Sequence, residues 1–187
     1  GGLANTEFLA SDEVIFNDAG ATSAVEILNA NVSPSSVTFN NSSINYTVSS
    51  AGGFGIASGT LTKNGSGTVN LTTANTYTGT TAVNGGTLQV SGGSAISNSG
   101  LVSIANAAGA TFQVSASETI GALSGGGGTG GSVTIDAGQT LTLSSGTQTF
   151  AGTISGGGAL ASSGAVQTLN GALSHGGGIS LTTGRLT

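Results

Sequence analysis

Residues 61–90 read LTKNGSGTVNLTTANTYTGTTAVNGGTLQV. Composition alone suggests a flexible linker, because Gly, Thr, Asn and Ser dominate it. Leu61, Val69, Leu71, Val83, Leu88 and Val90 nevertheless recur through it at short, even gaps. Aliphatic residues on alternate positions are the signature of a strand with one buried face, since successive side chains of a strand point to opposite sides. The same period-two pattern runs through SSVTFN, SINYTVS, GTLQVS, LVSIAN, ATFQVS, GSVTID and QTLTLS. Their polar partners are mostly Thr and Ser, which suit a pleated surface. Between them lie NGSG, NGG, SGG, AAGA, SGGGGTGG, DAG and SGGG, which are turn signals. Only SAVEILNA (23–30) offers a helical alternative, and it too reads as a strand.

Short strands separated by glycine turns form either an antiparallel sandwich or a solenoid. A second, weaker copy of the opening stretch decides for the solenoid. Leu71 aligns with Leu169, Gly79 with Gly177, Val83 with Leu181, Gly86 with Gly184 and Leu88 with Leu186, at a constant offset of 98. Upstream the offset slips by one, pairing Leu61 and Gly65 with Leu160 and Gly164. A unit near a hundred residues is several coils long. Coils of roughly 20–25 residues predict eight or nine turns and a rod about 40 Å long, given a rise near 4.8 Å per coil. In such a rod one side-chain column faces inward and takes Leu, Ile, Val and Phe. The outward column meets water, so it needs no charge.

The composition agrees. Of 187 residues only 5% are charged, and the formal net charge is −5. Two cations, Lys63 and Arg185, are too few to neutralise a run of phosphates, which excludes nucleic acid as a partner. No apolar run reaches the roughly 20 residues of a spanning helix, and no polybasic segment binds a membrane surface. With 35 Gly and a single proline, Pro34, the chain favours tight corners and long ladders. It has no cysteine, so disulfides and thiolate metal sites are excluded. Its ends, GGLANTEF and TTGRLT, read as those of a processed or excerpted piece. One solenoid is expected over 1–187. Residues 1–54 are richer in aromatics (Phe8, Phe16, Phe39, Tyr46, Phe54) and acids (Glu7, Asp12, Glu13, Asp18, Glu26). Residues 55–187 are richer in Gly, Ser and Thr, with repeat copies at 61–90 and 160–187.

The opening stretch resembles the autotransporter-associated β-strand repeat, also called the passenger-associated transport repeat. Lys63, Gly65, Gly67, Thr68, Leu71, Asn75, Thr76, Tyr77, Gly79, Thr81, Gly86 and Leu88 carry the resemblance. VIFNDAG, VTFNNSSINYTVS, GATFQVS, IGALSGGG and TFAGTISGGGAL are similar to the flanks of such repeats. The copy at 160–187 keeps Leu169, Gly177, Gly184 and Leu186 but has Ser162 or Ser163 in place of the lysine and SHGGG in place of N-T-Y-x-G. The resemblance implies a right-handed parallel β-helix, exported across a Gram-negative outer membrane and displayed or released outside. It implies a role in passenger transport and folding rather than catalysis. The handedness agrees with the rule for parallel crossovers.

Candidate sites are few. Beyond residue 26 only Glu118 and Asp136 remain as acids, neither with an evident cationic partner, so the clustered carboxylates of a β-helix hydrolase or lyase are missing. Asp12, Glu13 and Asp18 with Asn17 offer oxygen ligands for Ca²⁺, but the spacing fits no calcium loop, and solvated turn acids are the simpler reading. His175, alone among glycines, reads as a loop histidine without metal or triad partners. Lys63 reads as the cap of a coil corner, and Tyr77 as an exposed or half-buried coil aromatic rather than a sugar platform. The glycine strings lack a phosphate-binding context. Threonine rows such as TYTGTT are too irregular for an ice-binding surface. No cofactor and no catalytic residue is expected. The expected role is a structural stalk, scaffold or fibre unit whose uncapped terminal coils stack head to tail. An adhesin that binds a glycan or host surface is the alternative, and a polysaccharide-degrading enzyme a remote one.

Overall fold

The computed structural model describes residues 10–187, all of them strand, turn or irregular structure. Phe8 and Glu7 lie outside the described residues. Every pairing between the strands is parallel, and each strand meets its successor one coil later. The result is a β-solenoid of about eight turns. Partners lie from 19 residues apart (Gln167 and Leu186) to 25 apart (Gly125 and Phe150).

Three columns of backbone make up the rod. The first runs through Glu13–Asn17, Ser36–Asn40, Thr60–Asn64, Thr81–Val83, Leu101–Ile104, Ala122–Gly125, Thr147–Phe150 and 166–169. The second is continuous from Ala24–Glu26 to Leu173–His175, through Tyr46–Ser49, Thr68–Leu71, Thr87–Val90, Thr111–Val114, Ser132–Ile135 and Thr153–Gly156. The third becomes a regular ladder only from Glu118–Ile120 onward, continuing through Thr140–Leu143, 159–162 and 179–181. Earlier coils cross that side without regular strands, apart from a parallel bridge between Val32 and Ile56.

The core follows from the alternation. In the second column Tyr46, Val69, Leu88, Phe112, Val133 and Ile154 stack in register, and all are buried. Each coil covers the apolar surface of the one below, so stability comes from neighbour stacking rather than from any single coil. In the first coils Phe16 and Phe39 stack with centroids 4.8 Å apart, and Tyr46 tilts against both. The outward residues of the second column form a regular row over five coils, Thr68, Thr87, Thr111, Ser132 and Thr153. This corrects the reading of irregular threonine rows: the irregular TYTGTT segment (76–81) crosses the third side and runs into the strand Thr81–Val83, and the regular row is one face over.

The two sequence copies occupy different sides of the rod. Leu61 stands in the first column but Leu160 in the third, and Leu71 in the second but Leu169 in the first. Similar gap spacing is thus used one face out of step. The offset of 98 residues is not a whole number of coils, so the second copy falls one column earlier in its coil; there the strand Ala159–Leu169, eleven residues long, runs from the third column into the first without the usual corner.

Candidate functional site

Several polar residues of 61–90 do not face water. Lys63, Thr73, Asn75, Tyr77 and Thr81 are all buried. Lys63 holds an inward position in the first column, in register with Phe39 below and Val83 above. Its Nζ bends to the corner between the first and second columns. There it donates to the carbonyls of Asn64 (2.7 Å), Gly65 (3.1 Å) and Gly85 (3.2 Å). Three donors thus satisfy corner carbonyls of two successive coils. Burial pulls the Lys63 ammonium down to about 8, and the Asp18 carboxylate opposes that shift.

Asp18 supports the same corner one coil below. Its carboxylate accepts the N–H groups of Ser42, Ser43 and Ile44 at 2.9–3.0 Å. These bonds, with the charge of Lys63, hold its pKa below the ordinary value. Asp18 is an exposed turn acid, as its reading has it, and its oxygens also cap the turn of the next coil. Among the described residues no group of three or more His, Asp or Glu side chains is placed to hold a metal ion. Asn41, also buried, donates Nδ2 to the carbonyls of Ile44 (2.6 Å) and Thr68 (3.1 Å).

Close packing of successive coils also explains four glycines of the motif. Gly65 has φ near +73°, where L side chains are strained, and a Cβ there would collide with the Asn41 carbonyl. At Gly79 a Cβ would strike the Gly59 carbonyl of the coil below. Gly67 and Gly86 lie in the same first-to-second corner, pressed against Asn41 and against Gly67 respectively. Leu71 and Leu88 are inward in the second column.

On the third side, side chains replace the missing ladder. The Oδ1 of Asn75 accepts the N–H of Ile56 in the coil below (2.8 Å) and the hydroxyl of Thr73 (3.0 Å). Its Nδ2 donates to the carbonyl of Ala95 in the coil above (2.8 Å) and to that of Thr73 (3.2 Å). All four hydrogen-bonding valences of this buried carboxamide are used. Glu118 continues the chain upward, accepting the N–H of Ala95 (3.0 Å) and of Ile96 (2.9 Å). Ile56, Asn75, Ala95 and Glu118 are therefore stitched through three successive steps by side chains. Glu118 is 2% exposed; burial raises its pKa against the pull of those two N–H groups.

Tyr77 is 1% exposed, which corrects the reading of an exposed or half-buried aromatic. In the strandless third side of this coil Thr73, Asn75 and Tyr77 alternate inward, and Thr72, Ala74, Thr76 and Thr78 are exposed. The Tyr77 hydroxyl pairs with Thr81 Oγ1 at 2.9 Å. Burial raises its pKa, and the nearby Glu118 charge adds to the rise.

The downstream copy is built differently. Leu169 stacks on Phe150 and Leu186 on Gln167. Gly177 sits in a corner against Gly158 and Ala159. Gly184, with φ near +89°, packs on the Ala165 carbonyl within the strand Ile179–Leu186. His175 is not a loop residue. It ends the strand Leu173–His175 and stands in register on Gly156, in the column of Ile135 and Val114. The run of glycines hid a strand whose inward position carries an imidazole; its Nε2 pairs with the Gly178 carbonyl at 3.1 Å. Asp136 lies outward and accepts from Ser115 Oγ (2.6 Å) and Gln113 Nε2 (3.2 Å).

Sequence reasoning missed the roles of Glu118 and Gln167. Gln167 is fully buried and bonds both backbone groups of Leu123, 44 residues earlier. An available signal was position: Glu118 and Gln167 each occupy an inward slot of the period-two pattern, where a polar residue needs dedicated partners.

Lys63 and Asn75 thus point into the rod and bond backbone groups of neighbouring coils, and Tyr77 is buried beside them. Residues 61–90 are a passenger-associated transport repeat. The passenger-associated-transport-repeat family matches that stretch. A relative, the adhesin BmaC autotransporter of Brucella suis biovar 1 (strain 1330), is 44% identical over 92 residues. That alignment covers 49% of this chain and 3% of the relative, so the chain spans a small fraction of the protein it matches. No solved structure matches the chain.

Proposed function

We propose that the chain is part of the passenger of an autotransporter, a non-enzymatic β-solenoid rod held at or released from the surface of a Gram-negative bacterium. The observation that carries this reading is the inward orientation of Lys63, Asn75 and Tyr77, the motif's most distinctive side chains. They are committed to coil construction, which suits a transported rod better than a reactive site. The test is surface exposure of the full-length parent: a tag inserted at Gly128, where open space surrounds the backbone, is probed on intact cells by protease or antibody. A tag reached only after lysis refutes the reading.

The rod is proposed to act as a stalk or fibre unit that extends by head-to-tail stacking of copies. Supporting this, the apolar columns of the rod are buried by parallel stacking of one coil on the next, a contact that a coil of another copy can make in the same register. A second copy stacking in parallel would continue those columns. Sedimentation over a range of concentrations tests this: self-association abolished by Leu181→Lys supports it, and a monomer at every concentration refutes it. Adhesion to a glycan or host surface is the second reading, favoured by the relative's name. Its natural surface is the outward hydroxyl row of the second column, and a glycan array reads it directly.

A further inference from the structure

We propose that Asn64 is a spontaneous deamidation site, activated by the ammonium of Lys63 and by the asparagine of the next coil. Three Asn–Gly pairs occur in the chain, 64–65, 84–85 and 170–171. Glycine offers no side chain to hinder attack of its backbone nitrogen on the preceding carboxamide. In the reaction Gly65 N loses its proton to solvent and attacks Asn64 Cγ. The Cγ–Nδ2 bond breaks, ammonia leaves, and a succinimide remains. Water then opens either carbonyl, giving aspartate or isoaspartate. Water is consumed and ammonia released; no oxidant or reductant takes part.

Two contacts single out the first pair. The charge of the deprotonated peptide is shared between Gly65 N and the Asn64 carbonyl oxygen, and Lys63 Nζ donates to that oxygen at 2.7 Å. Donation by a cation stabilises the anion that must form. The tetrahedral intermediate at Cγ places negative charge on Oδ1, and Asn84 Nδ2 already donates to Asn64 Oδ1 at 2.9 Å. Asn64 Nδ2, the departing group, donates to Asn40 Oδ1 at 2.7 Å on the outer surface. The second pair has neither advantage. Gly85 N–H is engaged by the Lys63 carbonyl at 3.3 Å, and Lys63 reaches the Gly85 oxygen rather than that of Asn84. The Asn170–Gly171 pair has no cation: Lys63 stands in the third described coil of the first column, and Arg185 Cα pairs with Val166.

The product changes the corner. Aspartate at 64 removes the donor to Asn40, and isoaspartate lengthens the backbone of residue 64 by one carbon and turns the Asn64 carbonyl that Lys63 caps into a pendant carboxylate. The folded protein is incubated near pH 7, where Lys63 is an ammonium, then digested, and peptides are mapped by mass spectrometry with isoaspartate detection. Conversion at Asn64 severalfold faster than at Asn84 and Asn170 in the same molecules is the expected result. Lys63→Arg retains it and Lys63→Met lowers it towards the rate at Asn170. Equal rates at the three pairs, or an unmodified Asn64, overturn the proposal; that comparison needs no variant, so it stands even where Lys63→Met fails to fold.

Discussion

Gln167 reaches past an intervening coil to pair with both backbone groups of Leu123. The Leu123 N–H donates to Gln167 Oε1 at 3.2 Å, and Gln167 Nε2 donates to the Leu123 carbonyl at 2.8 Å. The coil between them touches this level of the first column through a single registered pair, Gly125 with Phe150, and Gln148 is exposed. One carboxamide thus takes the part of a missing strand residue. Gln167→Leu keeps the bulk but leaves a buried donor and acceptor unpaired, at a cost of about 1–3 kcal/mol per group. Urea denaturation is expected to show a lower midpoint, and hydrogen exchange a selective loss of protection at Leu123. Unchanged exchange there would show that the backbone finds other partners.

Asn75 does the same work on the third side, bonding to Ile56 below and Ala95 above. Asn75→Leu is expected to destabilise by about 2–4 kcal/mol, since several buried groups lose partners at once. Asn75→Asp retains the acceptor for Ile56 but loses the donor to Ala95 and buries a charge. Its deficit is expected to shrink as pH falls and the carboxylate is protonated. Equilibrium unfolding of both variants at neutral and acid pH checks the order.

Glu118 makes stability depend on pH in an unusual direction for a carboxylate. Its folded pKa is raised above the ordinary 4.5 by burial. A raised folded value means that the folded state holds the proton more tightly than the unfolded chain. The site's contribution is full below 4.5 and is lost as pH rises through the folded value. Glu118→Gln abolishes that slope. The difference between wild type and variant, followed by thermal melts from acid to neutral pH, is the measurement; parallel curves would refute it.

Lys63 acts at the other end of the scale. Its folded pKa is lowered from 10.5 to about 8 by burial. A depressed folded value gives a contribution that is full above 10.5 and is lost as pH falls through about 8. Wild type is therefore expected to gain stability relative to Lys63→Met between these limits. Titration of the Lys63 side chain by NMR gives the folded pKa directly, and a midpoint near 10.5 would contradict it.

Much of the architecture is legible in the chain itself. Alternation in VTF, TVNL, TLQV, TFQV, SVTI and TLTL marks the strands, because a one-residue slip would expose every buried side chain. Glycine at Gly65 and Gly86 marks corners that need positive φ. Scarce charge and abundant Thr and Ser are what a rod with uncharged outer columns permits. Local alternation cannot say which column a strand joins. Leu71 and Leu169 align by spacing yet stand on different sides, because their offset of 98 residues is not a whole number of coils.

The sequence by itself determined a parallel β-solenoid with aliphatic columns inside and glycine corners, since those depend on neighbours two residues away along the chain. The tertiary structure alone decided that Lys63, Asn75, Tyr77, Glu118, Gln167 and His175 occupy inward positions. A polar side chain turns inward where the coil above or below leaves a backbone group without a ladder partner. Those groups lie about 20 residues away or, for Gln167 and Leu123, 44. The physical reason is that a hydrogen bond unmade in the interior costs more than the desolvation of the side chain that completes it.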